Sequence, residues 1–368
     1  MNEKVAIVQV KIPHYREELF IALCKRVPGI KIFHSSYLSN DGLVESLSFP
    51  FSNEHVNMTE VRGFTLQKLT KQILFDDYNY VVLGLELKIL SNLLIAVLCR
   101  IRKIKLIFWT HGYNVHLKEK NIRFFVDRFV KTILMRMAFK ILLYTEYGYK
   151  ELIRWRIPAR KIIILNNTIN EKLYEFYITK FRTSEKIIGS DKEKLKLAMV
   201  GRLTKAKKIE ILIDLVVLLR TSYPQVSALI IGDGPERERL EALAKVKGVE
   251  DRVVFYGTIN EPESLVPLLM KADMMVQPGA VGLSIVTSFI CGLPFITFQD
   301  AGHGPEIAYL KSDCNGYIGR SLEDIKEWII HNYSNKERME KLRQGCFKVI
   351  EDEVKFEYFI DRFVSAFQ

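Results

Sequence analysis

The run 199–213 (Met-Val-Gly-Arg-Leu-Thr-Lys-Ala-Lys-Lys-Ile-Glu-Ile-Leu-Ile) places a glycine and a set of cations where an apolar strand gives way to a helix. Gly201 allows a tight turn off the strand, Arg202 can fork two oxygens of one phosphate, and Lys207 adds a point charge. The N–H groups at the start of the next helix contribute fixed positive potential. These are the parts of a diphosphate cradle that needs no metal. Taken alone, Arg202, Lys205, Lys207 and Lys208 would serve equally well as a solvated basic loop.

Further loops of the same kind follow. Residues 228–240 read as a strand, a turn rich in glycine and proline (Gly232, Gly234, Pro235) and a helix. A strand then ends at Tyr256-Gly257-Thr258, and a later one at Gln277-Pro278. The junction Gly279-Ala-Val-Gly282-Leu283 opens a buried helix that stops at Gly292-Leu-Pro294, and Gly302-His-Gly-Pro-Glu306 follows the next strand. Four successive loops thus face one sheet edge. Glu306 is otherwise read as a surface carboxylate.

In the first half, Tyr15 and Arg16 follow the first strand and could meet an anionic acceptor, or Arg16 could simply pair with Glu17 or Glu18 at a helix start. His111, in Trp109-Thr-His-Gly-Tyr113, sits at the carboxyl end of another strand, as does Glu146 in Tyr144-Thr-Glu146. Asn166 and Asn167 read as turn formers.

The elements that must position these residues alternate. Strand-like runs at 5–10, 80–83, 106–109 and 141–144 are followed by helix-like segments at 17–26, 87–102, 121–138 and 147–155. After a polar, charged stretch the pattern restarts, with strands at 195–200, 227–231, 253–256, 274–277 and 295–298 and a helical tail from 322. This βα repetition predicts an α/β chain of two doubly wound domains with parallel sheets. The expected division is a first domain at 1–180, a linker at 181–194, a second domain at 195–350, and a C-terminal helix at 351–368 packing back on the first domain.

The order of motifs over 195–320 closely resembles the retaining glycosyltransferases of the GT-B type, and specifically family four of the bacterial enzymes (glycosyl transferases group 1); the N-terminal half resembles them weakly. The resemblance implies two Rossmann-like domains facing each other across a cleft. It also implies a nucleotide diphosphate sugar as donor, its diphosphate held by Arg202 and Lys207, with the turn at Gly232 to Pro235 closing the nucleotide pocket. The base would lie near Tyr256, Gly257 and Thr258, and His111 near the donor sugar. One departure stands out: the family's two glutamates, eight positions apart, are replaced by Gly279 and Thr287. The first normally contacts the transferred sugar and the second the ribose. Here Thr287 and the backbone N–H groups of residues 280–283 are the substitutes on offer, beside a Glu306 loop that resembles a subset of these enzymes.

Composition narrows the field further. At 368 residues, 48% hydrophobic and 26% charged, two folded domains are the default. Five scattered cysteines with no Cys-x-x-Cys spacing argue against a disulfide framework or a zinc site, and no Asp-x-Asp signature occurs, so no cofactor or metal is expected. The net charge of +11 is concentrated: residues 1–170 hold 26 Lys and Arg against 14 Asp and Glu, and 171–368 hold 28 against 29. Between Arg100 and Lys140, basic residues (Lys118, Lys120 and Arg123 among them) interleave with Phe124, Phe125, Phe129 and Ile133 at helical spacing. Burial against the domain's own sheet and docking on an anionic membrane surface both fit this pattern. No pattern for nucleic-acid recognition accompanies the charge.

With no signal peptide and no transmembrane span expected, the reading is a cytoplasmic protein peripheral at the inner face of the membrane. It would move a sugar onto a saccharide or lipid-linked acceptor in surface-polysaccharide assembly. The rivals are a nucleotide-sugar 2-epimerase, which shares the double fold, and a non-catalytic subunit, which the Gly279 and Thr287 replacements would suit.

Overall fold

Apolar runs and amphipathic segments alternate along the chain to give, among the described residues, two parallel sheets. The computed structural model describes residues 3–35, 49–69, 73, 76–113, 122–184 and 194–368. In chain order the first part holds β1 (Val5–Val8), α1 (Glu17–Arg26), β2 (Ile30–His34), β3 (Asn53–His55), β4 (Met58–Val61), β5 (Phe64–Gln67) and β6 (Tyr80–Gly84). It continues with α2 (Leu90–Ile101), β7 (Lys105–Thr110), α3 (Ile122–Met137), β8 (Lys140–Leu143), α4 (Tyr149–Arg154) and β9 (Ile162–Ile164). The sheet order is β3-β2-β1-β6-β7-β8-β9, all parallel. The hairpin β4-β5 stands apart as an antiparallel pair that the sequence reading did not anticipate.

The second part runs α5 (Glu171–Ser184), β10 (Lys196–Val200), α6 (Glu210–Leu219), β11 (Ser227–Ile231), α7 (Arg237–Val246), β12 (Val253–Gly257) and α8 (Pro262–Leu269). Then come β13 (Met274–Val276), α9 (Ser284–Ile290), β14 (Phe295–Phe298), β15 (Gly316–Gly319), α10 (Leu322–Tyr333), α11 (Lys336–Val349) and α12 (Phe356–Ser365). Its sheet order is β12-β11-β10-β13-β14-β15, again parallel. Strand β10 shows why both faces must be covered. Leu197 and Met199 enter a core layer with Leu212 and Val216, while Ala198 enters the opposite layer with Ile285 and Phe289. Burying each large aliphatic side chain contributes about 1.5–3 kcal/mol.

The chain divides into residues 1–167 with 356–368, and residues 168–355. The boundary thus falls earlier than the linker expected at 181–194, because α5 is a regular helix packed on α8 and α9 rather than a spacer. Residues 185–193 of that expected linker lie outside the described residues. At the other end, the helical tail expected from 322 comprises three helices. Ser321 Oγ accepts from the Asp324 N–H (3.1 Å) to begin α10, and Asn335 Oδ1 accepts from the Arg338 N–H (3.0 Å) to begin α11. Residues 350–354 stay with the second unit, and only from Phe356 does the chain rejoin the first. There Phe359 and Phe363 pack with Phe20 and Trp109, and Arg26 bridges Glu357 (3.0 Å) and Asp361 (3.1 Å).

Candidate functional site

In the second unit the strand order reverses between β10 and β13, and that switch point, at the carboxyl ends of the strands, is where open α/β sheets bind ligands. The loop leaving β10 carries Gly201, Arg202 and Lys207; the loop leaving β13 carries Gln277 to Leu283. The two loops are locked together. Ala280 N–H donates to Ala206 O (3.0 Å) and the Lys207 ammonium donates to Ala280 O (2.6 Å). Gln277, fully buried, also donates to Ala280 O through Nε2, accepts from Ser284 Oγ–H (2.7 Å), and accepts from Thr297 Oγ1–H at its own carbonyl (2.7 Å).

This packing explains the glycine at 279. A Cβ there would stand 2.1 Å from Ala206 O and 2.4 Å from the Lys207 Cα and carbonyl carbon, so no side chain fits without moving backbone. Gly232 is bound by the same logic: its φ is +145°, its N–H donates to Gly257 O (2.7 Å), and a Cβ would lie 2.0 Å from Gly201 O. Gly234 and Gly257 complete the turn, with Arg237 held to Asp233 (2.9 Å) beside them, and Tyr256 is 40% exposed at the end of β12.

Burial lowers the Lys207 pKa to about 8, with nearby Glu306 acting in the opposite direction. Glu306 is buried, not the surface carboxylate of the alternative reading, because the short helical turn 305–309 directs it inward against Gly304. A diphosphate held at this loop would bind the charged form of Lys207. Its affinity should therefore be flat below pH 7 and fall as the pH rises through about 8, by up to roughly tenfold per unit. Calorimetric titration between pH 6 and pH 9.5 checks this, and in Lys207→Met the slope should vanish.

Two contacts differ from what the sequence suggests. The Thr287 hydroxyl is hydrogen-bonded to Tyr174 of α5, in a layer with Cys291, so it is engaged inside the protein. Of the backbone N–H groups at 280–283, that of Ala280 is engaged as above and that of Val281 donates to His303 Nδ1 (3.4 Å). His303 in turn donates from Nε2 to Phe298 O (2.7 Å), and burial holds its pKa below the ordinary range. Those two bonds fix the ring as a neutral strut between the loops after β13 and β14. The sequence marks the motifs that contain Gln277 and His303 but not these bonds, and Tyr174 not at all, since each acts through a partner fixed only by the fold.

The first unit gathers its own set at the carboxyl ends of β1, β7 and β8. Arg16 donates to Gln9 Oε1 (3.1 Å) and to the Tyr144 hydroxyl (2.5 Å), and its guanidinium lies 4.4 Å over the Trp109 ring. Trp109 stacks on Tyr144 (5.6 Å between centroids), and Tyr144 on His111 (3.9 Å). Tyr15 is 36% exposed, its ring edge-on to His14, and Glu146 is exposed in the turn after β8. Although part of His111 faces solvent, Tyr144 shields its ring; burial, then the Arg16 and Lys131 cations, push its pKa down to about 4. His111 is neutral at pH 7, one nitrogen donating and the other accepting. Its ring proton resonances should accordingly show no titration between pH 5.5 and 8; a midpoint near 6.5 would contradict the stacked geometry.

Among the described residues, no group of three or more His, Cys, Asp or Glu side chains could hold a metal ion, and no helix is long and apolar enough to cross a membrane.

Residues 180–348 match the family model described as glycosyl transferases group 1. The N-acetyl-alpha-D-glucosaminyl L-malate synthase of Bacillus anthracis is 27% identical over 187 residues, 47% of each chain. The O-antigen biosynthesis glycosyltransferase WclY of Escherichia coli is 28% identical over 143 residues, 39% of each. The chain thus spans half or less of the length of these curated relatives. Among solved structures, HepE of Anabaena in complex with UDP superposes with a TM-score of 0.73 over 99% of both chains at 16% identity, which shows the shared two-unit GT-B fold.

Proposed function

We propose, since residues 180–348 match the family model of the glycosyl transferases group 1, that this chain transfers a sugar from a nucleotide diphosphate sugar to a saccharide or lipid-linked acceptor, with retention at the anomeric carbon. The observation that carries this reading is the pair Arg202 and Lys207 at the switch point of the second sheet, the lysine half-buried and aimed across the loop that follows β13. Fixed cations placed where a diphosphate departs stabilise the charge that develops on it, and they do so without reorganising at the moment of reaction. The bond from the anomeric carbon to the diphosphate oxygen breaks with its electron pair going to the leaving group. The acceptor oxygen enters on the same face, and its proton passes to the departing phosphate.

Within this reading Gly201, Gly232 and Gly234 let the backbone close on the diphosphate, and Tyr256 with Gly257 flanks the base. Gly282 and Leu283 offer backbone N–H groups to the sugar, in place of the carboxylate that cannot fit at Gly279. Thr287 serves through Tyr174, and Glu306 keeps Lys207 charged near neutrality. In the first unit, neutral His111 offers a hydrogen bond to a sugar hydroxyl, and Tyr15 with Arg16 faces the acceptor. UDP is the first nucleoside diphosphate to try, since HepE was solved with it. We further infer a site of work at the cytoplasmic face of an anionic membrane, in surface-glycan assembly, as the charge of the first 170 residues suggests.

The epimerase reading gains no support from the relatives, whose names are those of transferases and synthases. A non-catalytic subunit is favoured only by the crowding at Gly279. Incubation with UDP-hexoses and a short oligosaccharide acceptor separates the two. Release of UDP with a new equatorial anomeric proton signal, given a donor whose diphosphate is axial, supports transfer with retention. Tight UDP binding with no release from any donor would identify a non-catalytic subunit.

A further inference from the structure

Two helices on one face of the first sheet carry apolar side chains outward as well as inward: Ile95, Ala96 and Cys99 of α2 and Leu134 and Met135 of α3 are buried in the core. α2 connects β6 to β7 and α3 connects β7 to β8; two right-handed crossovers running the same way along a sheet cover the same face. In α3 the inward side chains include Arg128 and Lys131, 6% and 7% exposed, whereas Phe125, Phe129 and Ile133 are 54%, 63% and 45% exposed. The buried cations are satisfied where they lie: Arg128 donates to Glu151 (3.0 Å) and stacks 4.1 Å over Phe124, and Lys131 pairs with Asp127 (3.1 Å). In α2, Ser91 and Asn92 are buried while Leu94, Val97 and Ile101 are 50%, 48% and 70% exposed. A helix serving only its own core would keep that outward side polar. Two such stripes side by side mark a contact surface.

At one end of that face, where β7 and β8 begin, lies a cavity of about 610 Å³ lined by six cations and by no Asp or Glu. Two of the cations are structural: Lys105 donates to the Tyr80 hydroxyl (2.8 Å), and Lys161 to the carbonyls of Arg136 and Ala138 (2.6 Å each). Arg100, Lys103 and Arg160 are exposed around the mouth, with Lys140 between. Met137, which lines the cavity and is 38% exposed at the end of α3, joins pocket to stripe.

We propose that this face docks on an anionic bilayer, with the α2 and α3 stripes entering the headgroup boundary and the cavity receiving a lipid phosphate. The inference deepens, and rests on, the membrane site of work inferred above. Charge complementarity selects this occupant: apolar stripes rimmed by cations match a surface of buried acyl chains and outward phosphates. A second copy docked isologously would bring the same cationic rim to both sides.

The test is co-sedimentation of the whole protein with vesicles, either equimolar phosphatidylglycerol and phosphatidylcholine or phosphatidylcholine alone. The variants are R100Q/K103Q/R160Q and F125S/F129S, each shown to be folded by an unchanged circular-dichroism spectrum and melting temperature. Wild type should prefer the anionic vesicles by roughly tenfold or more, and each variant should lose roughly that factor. Equal binding by the triple variant would overturn the cavity while leaving the membrane reading in place. Failure of the wild type to bind anionic vesicles would overturn both, with UDP affinity then reporting separately on the transferase reading. Two further results would also sink the proposal: inorganic phosphate binding the cavity with no vesicle binding, or a solution dimer that F125S/F129S dissociates.

Discussion

Gly279→Ala is expected to lower the melting temperature of the second unit by roughly 6–12 °C, corresponding to about 3 kcal/mol of overpacking. The added methyl group would start 2.1 Å from Ala206 O and 2.4 Å from the Lys207 backbone, and none of these atoms is the end of a flexible side chain. Relief requires the turn Lys205–Lys207 to move away from the loop after β13, which breaks both the Ala280 N–H bond to Ala206 O and the Lys207 bond to Ala280 O. Diphosphate affinity should fall along with stability. Gly279→Glu, which restores the residue usual in the family, should do no better, since it carries the same Cβ. Scanning calorimetry decides the matter: a shift within 2 °C for either variant would mean that the two loops are not locked together.

The second large effect is on turnover. Arg202→Ala should reduce kcat/KM for the nucleotide sugar by roughly a hundredfold or more, about 3 kcal/mol, because it removes a forked, charge-assisted donor to an oxygen pair whose charge grows as the bond breaks. Lys207→Met should cost a similar factor and add a loop defect, since the ammonium also ties the two loops through Ala280 O. Arg202→Lys should recover only part of the loss, because a point charge cannot replace a planar fork. Steady-state kinetics at pH 7 measure all three. If Arg202→Ala changed kcat/KM by less than threefold, the diphosphate would have to lie elsewhere.

Much of this was legible in the chain itself, for reasons particular residues make plain. The second sheet declares itself because its strands are short and apolar, and β10, β11 and β15 are followed at once by glycine or a cation, as at Val200-Gly201-Arg202 and Ile231-Gly232. Local chemistry of that kind survives in sequence order. Contacts between distant residues do not: Tyr174 meets Thr287, His303 braces Val281, and Arg16 reaches Tyr144 across 128 positions. The spacing of α3 marked it as an amphipathic helix but could not tell which face was buried, because pairing with Glu151 and Asp127 lets Arg128 and Lys131 go inward. Lys118 and Lys120, part of the same basic run, lie outside the described residues. The boundary near residue 167 was hidden for a related reason. Residues 171–180 read as the end of the first domain and 181–184 as the start of a polar linker, and only the packing of α5 on α8 and α9 makes both part of the second unit.

The central claim is that the loop after β10 holds a nucleoside diphosphate through Arg202 and Lys207. Its most direct test is calorimetric titration of the metal-free protein with UDP, GDP, ADP and CMP, repeated on Arg202→Ala. One diphosphate should bind well ahead of the rest, and the variant should bind it about a hundredfold more weakly with an unchanged fold. Binding of none of them by the wild type, or equal binding by the variant, would contradict the account.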